Sequence, residues 1–178
     1  MNYLSERSEG ICLLRLLHFI RKDRKHKNLN NKKIIQLLPY QPPFLFVEEL
    51  TQVSENGVEG FYTFKEDEYF YQGHFKGNPV TPGVILTEVM AQIGVVCLGI
   101  ALLKEEVSKN QKPEIALTSN EIDFFLPVYP KERVKVVSEK LYFRFNKLKC
   151  KVQLFNENNE LVCRGTISGM LKPNEILK

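Results

Sequence analysis

A chain of 178 residues has room for one domain, with or without a short appendage. Its 43% hydrophobic and 26% charged residues exclude the disordered and fibrous classes and can bury a core without covalent staples. The net charge of +4 is uneven: residues 1–33 carry nine Lys/Arg against three Asp/Glu, and the rest of the chain sums to −2.

In chain order, residues 11–20 (ICLLRLLHFI) form an apolar run too short to span a bilayer. Acidic residues precede it, basic ones follow, and no small-residue cleavage site is visible, so a signal peptide is a poor match. An amphipathic helix is plausible there, followed by the basic stretch Arg21–Lys27 and a linker at 28–31. The division expected is a basic N-terminal extension, residues 1–33, and a folded domain, residues 34–178. A basic arm can meet an anionic lipid surface, nucleic acid or an acidic protein, or be a solvated tail. Nothing in the sequence supports the membrane contact specifically. No recognised module accompanies the charge, so nucleic-acid binding is not expected.

The domain opens with a helical turn at residues 34–38, stopped by Pro39. Phe44–Val53 and Val58–Phe64 predict two strands joined by a hairpin at Asn56-Gly57. Residues 65–82 are loop-like, with Gly73, Gly77, Pro79 and Pro82. Val84–Leu103 predicts one long helix, apolar nearly all round, with Pro82 in its first turn and Thr81 as its cap. Thr87, Glu88, Gln92, Gly94 and Gly99 argue that it is buried in protein rather than lipid. Four further strands follow, at 115–125, 133–145, 149–155 and 161–170, with turns at 146–147 and 156–159. The fold class is therefore α+β, an antiparallel sheet wrapped around one long central helix.

The four cysteines, at 12, 97, 150 and 163, show neither C-x-x-C spacing nor a Cys-His cluster. Zinc and a disulfide framework are not expected; reduced, intracellular thiols are, with Cys97 as a small core hydrophobe.

Three features carry chemistry. His74 is the only histidine of the folded domain and lies in the loop entering the helix. A lone histidine is more often structural than catalytic. Glu88 lies in the second turn of a helix that must be buried, and a buried carboxylate needs a partner or a raised pKa. Its structural alternative is a hydrogen bond to Gln92, four residues on. Gly83 lies at the helix N-terminus, where free N–H groups favour developing negative charge; its alternative is tight packing. Together they suit elimination of water beside a thioester. An imidazole would take the proton, the helix end would hold enolate-like charge, and a protonated carboxylic acid would donate to the leaving hydroxyl.

The run Gly73-His74-Phe75-Lys76-Gly77-Asn78-Pro79-Val80-Thr81-Pro82-Gly83-Val84, then Glu88-Val89-Met90-Ala91-Gln92, resembles the signature of bacterial 3-hydroxyacyl-acyl-carrier-protein dehydratases. Those commonly show G-H-F-P-x-x-P-V-x-P-G-V and E-x-M-A-Q at this spacing. Leu37–Val47 is similar to their L-P-H-R-x-P-F-L-L-V-D stretch, and the likeness covers roughly residues 34–172. It implies a hot-dog fold, with His74 as catalytic base and Glu88 as acid partner. The Gly83 N–H would hold the thioester carbonyl, and the Val80 carbonyl would orient the His74 ring. Phe75, Pro82 and Gln92 would contact substrate. It implies a cytoplasmic enzyme without a metal or redox cofactor. The enzyme would be a homodimer, or a trimer of dimers, in which His74 and Glu88 of one site come from different subunits. Its partner would be an acyl carrier protein bearing the 3-hydroxyacyl substrate. That carrier is acidic, and Lys131, Arg133, Lys135, Lys140, Arg144, Lys147, Lys149 and Lys151 supply positive charge for docking. Ordinary solvated charge is the alternative for any one of them. Glu88 matches the branch that does not isomerise its product; the bifunctional branch has Asp there. Tyr40 and Gln41 replace the usual His-Arg, and Lys76 a common Pro, so acyl chain and pathway stay open between fatty acid elongation and a specialised lipid or polyene route. The rivals are thioester hydrolysis on the same fold and a non-catalytic acyl-binding subunit.

Overall fold

The computed structural model describes residues 31–103 and 114–172. The expectations for the apolar run at 11–20, the basic stretch after it and Cys12 lie outside those residues. Asn31, expected at the end of a linker, is buried in a short helix, α1 (residues 31–36). Its Nδ2 donates to Leu50 O at 2.7 Å. Buried Ile34 and Leu38 seat the same turn on the core.

The first strand is shorter than predicted: β1 is Glu49–Val53. Residues 44–48 form no strand, and the Phe44 carbonyl and Phe46 N–H bond to a helix side chain instead. Gln92 Oε1 accepts from Phe46 N and Gln92 Nε2 donates to Phe44 O. β2 (Gly57–Thr63) returns antiparallel to β1, with Ser54 N donating to Gly57 O to close the hairpin. The loop at 65–82 contains a 3-10 turn, Tyr69–Gln72, because Phe70 and Tyr71 are drawn into the core.

The long helix, α2 (Gly83–Leu102), is present. It is long and apolar enough to cross a membrane, yet 78% of its most apolar window is buried inside the fold. Such a helix, lacking a polar face, is stable in water only when wrapped. It starts and ends as α-helix, with a π-helical segment, Gln92–Cys97, between. Its cap differs from expectation. Pro82 is the N-cap and has no side-chain cap, because the Thr81 hydroxyl is committed to Tyr71.

The wrapping is done by β3 (Glu114–Phe124), β4 (Arg133–Arg144), β5 (Lys147–Phe155) and β6 (Leu161–Lys172), together with β1 and β2. The sheet order is β1-β2-β4-β5-β6-β3, antiparallel throughout. Val134, Val136 and Ser138 of β4 and Leu148, Cys150, Val152 and Leu154 of β5 alternate into the core, as period-two strands require. Cys97, Cys150 and Cys163 are free and buried. At the helix–sheet contact, Ser138 Oγ donates to Gly94 O at 2.8 Å. This is the hot-dog architecture.

Candidate active site

His74 is fixed from three directions. Its backbone N–H donates to Phe70 O at 3.0 Å, its carbonyl accepts from Val80 N at 2.9 Å, and its ring Nδ1 lies 2.8 Å from Val80 O. A carbonyl can only accept, so Nδ1 carries the hydrogen and a neutral ring presents Nε2 with its lone pair free. The ring stacks on Phe75, with centroids 4.0 Å apart. Phe75 is otherwise 57% exposed. Buried Tyr71 anchors the turn before the loop, and Thr81 N, donating to Val128 O at 2.8 Å, anchors the chain after it.

Gly83 is the first residue of α2. Ile85 and Leu86 donate to Pro82 O, so the Gly83 and Val84 N–H groups precede the helix's first hydrogen bonds. A Cβ on Gly83 would stand 3.2 Å from the Phe124 ring, so β3 closes tightly over this helix end. The structure therefore shows both features considered for Gly83, an open helix terminus and tight packing. Thr87 Oγ1 donates to Gly83 O and stiffens the first turn.

Glu88 is half-buried one turn further along. Its Oε1 accepts from Gln92 Nε2 at 2.9 Å, the i,i+4 bond foreseen as the structural alternative. Among the described residues, Oε2 has no hydrogen-bond partner. Gln92, expected to contact substrate, has no exposed surface. Its amide is used on Phe46, Phe44 and Glu88. Pro82 is half-buried at the helix entry. Within one chain the loop groups His74 with Phe75 and Val80, and the helix groups Gly83 with Glu88. No hydrogen bond joins His74 to Glu88.

A family model described as a FabA-like domain matches residues 38–164. The chain belongs to the FabA-like family. Within it, the chain is 34% identical to the 3-hydroxyacyl-[acyl-carrier-protein] dehydratase FabZ of Caldicellulosiruptor saccharolyticus, over 78% of this chain and 96% of that one. It is 31% identical to FabZ of Ehrlichia chaffeensis, over 82% and 97%. A solved structure similar to it is the dehydratase heterocomplex ApeI:P from Xenorhabdus doucetiae, with a TM-score of 0.66 and 16% identity, covering 80% of this chain and 91% of that one. A hypothetical thioesterase from Streptococcus pneumoniae shares the fold at a TM-score of 0.51 and 12% identity, covering 71% and 87%.

Around His74 and Gly83 the structure adds Tyr71 and Phe124, which sequence reasoning missed. Tyr71 and Thr81 bond to each other, and Phe124 roofs Gly83. Tyr40, noted only as a departure from the family pattern, packs against Phe44 with ring centroids 6.3 Å apart. Burial, then the nearby Glu88 charge, pushes its phenol up to about 12. A polar residue on an otherwise apolar helix was the available signal for Gln92. No local pattern marks Tyr71 or Phe124.

Proposed function

We propose that His74 and Glu88 are the base and acid of a dehydration site assembled between two copies of the chain. The enzyme is a hydro-lyase that converts a (3R)-hydroxyacyl-[acyl-carrier-protein] to the trans-2-enoyl thioester. The observation that carries this reading is the His74 ring, held through Nδ1 by Val80 O so that Nε2 is the free base. Nε2 takes the C2 proton while the Gly83 N–H stabilises the charge gathering on the thioester oxygen. The C3–O bond breaks as Glu88 gives its proton to the leaving hydroxyl, and water departs. Gln92 acts by positioning, since its bond to Oε1 leaves Oε2 to face the substrate.

The basic residues named for carrier docking separate into two groups. Lys131 and Arg133 pair with Glu66 and Glu49, each at 2.8 Å, and Lys135 donates to Asn159. Among the described residues, Lys140, Arg144, Lys147, Lys149 and Lys151 have no ion pair. They flank the β4–β5 turn, where Phe145 is 97% exposed. That hairpin end is the favoured contact for an acidic carrier.

The test is to follow enoyl absorbance and free thiol with a (3R)-hydroxyacyl thioester. His74→Ala and Glu88→Gln should each lower kcat by about 10²–10⁴. Refolding the two variants together should restore activity through mixed dimers that hold one intact site. Thiol release without enoyl product would replace this reading with hydrolysis. Failure of the mixture to recover would place the whole site in one chain.

A further inference from the structure

In a single chain His74 sits in an exposed loop that is held by hydrogen bonds and the Phe75 stack rather than by packing into the core. Of residues 72–80, only His74 and Val80 are half-buried; the others face solvent. Gly77, at φ +75°, turns the loop tip, and the tip closes on itself through reciprocal backbone bonds between Phe75 and Asn78. Apolar burial therefore fixes neither the ring nor the Val80 carbonyl that orients it.

The two stems of the loop are joined by one buried side-chain bond. The Tyr71 hydroxyl and Thr81 Oγ1 are 2.6 Å apart, and both residues are buried. Tyr71 is three residues before His74, at the end of the chain that receives the His74 N–H at Phe70 O. Thr81 directly follows Val80, whose N–H and carbonyl both engage His74. The bond thus closes a ring of contacts around the imidazole: Phe70, His74, Val80, Thr81, Tyr71.

We propose that the Tyr71–Thr81 hydrogen bond is a clamp that positions the His74 ring for proton transfer, without either side chain touching substrate. A buried hydroxyl pair is a precise tie, because breaking it leaves two buried polar groups to find other partners. Loss of the clamp lets the stems separate and the Val80 carbonyl drift, and the ring then samples orientations in which Nε2 misses the C2 proton. Misplacement of this kind lowers turnover steeply while leaving binding nearly unchanged.

The clamp's effect on rate rests on the dehydratase reading, so the experiment has two independent readouts. In steady-state dehydration, Tyr71→Phe and Thr81→Val should each lower kcat about tenfold, with KM within about twofold. The double variant should be no worse than either single one, as for partners in one interaction. Thr81→Ser, which keeps the hydroxyl, should restore kcat. In NMR, the His74 Nδ1–H resonance, assigned by its loss in His74→Ala, should exchange with water about tenfold faster in Tyr71→Phe and Thr81→Val than in the wild type or Thr81→Ser. Unchanged exchange and kcat in both variants would overturn the clamp, as would a KM rise equal to the kcat loss or no rescue by serine. A wild-type chain inactive on every hydroxyacyl thioester would sink the dehydratase reading alone, because the imidazole resonance still tests the clamp.

Discussion

Gln92 shows how much one residue can hold in place. Its amide is fully used: the oxygen takes the Phe46 N–H, and the nitrogen serves Phe44 O and Glu88 Oε1. Gln92→Leu keeps the volume and removes all three bonds. It strands two backbone groups beside the core, at a cost of about 2–3 kcal/mol. It also frees Glu88 to rotate. Urea unfolding should show that loss, and kcat should fall even at temperatures where the variant is fully folded; a variant as active as the wild type would refute the positioning role. The places of His74, Glu88 and Gly83 around one helix start were legible in the sequence, because each is a chemically distinct residue at a fixed offset from that start. The Glu88 bond to Gln92 was legible too, but the two other partners of Gln92 were not, because they lie 46 and 48 residues away and are backbone atoms, which leave no mark on residue type. Thr81 misled for a related reason. A threonine before a helix satisfies the capping pattern, but a tyrosine hydroxyl ten residues upstream claimed its oxygen.

At the level of elements, the long helix and the four later strands followed their patterns closely, since apolar periodicity is what burial selects. The departures have local causes. β1 begins five residues late because the chain before it bonds to Gln92 rather than to a strand. The middle of α2 widens into a π segment, in which Gly94 lies against β4 and β5. An added Cβ there would stand 3.0 Å from Val152 Cγ1 and 3.2 Å from the Ser138 Cβ. Gly94→Val therefore overpacks the contact and crowds the Ser138–Gly94 hydrogen bond, with an expected destabilisation of about 1–3 kcal/mol. A urea midpoint equal to that of the wild type would show that the sheet can yield at this point.

For the whole molecule, the tyrosines predict how the fold responds to alkali. Burial pushes the Tyr40 and Tyr71 phenols up to about 12, and Tyr62, buried and bonded to Glu68, is pushed up further. Above pH 10 the unfolded chain loses these protons while the folded chain keeps them, so unfolding releases protons and stability falls as pH rises. The stabilisation from Tyr40 and Tyr71 is complete below pH 10 and is lost on passing through pH 12, and that from Tyr62 is lost later still. Thermal unfolding between pH 9 and 12 should follow that course, and phenolate absorbance should rise later in native than in urea-unfolded protein; coincident titrations would contradict it. The sheet that encloses these groups has unequal ends. β1 is five residues long, irregular at Leu50–Gln52 and headed by exposed Glu48 and Glu49. β3 runs for eleven residues at the other end, with Leu117 and Phe124 half exposed. A rim of that length is a template for any extended chain that reaches it. The hazard for a newly made molecule therefore lies along this one edge, and it grows with the concentration of extended chain around it.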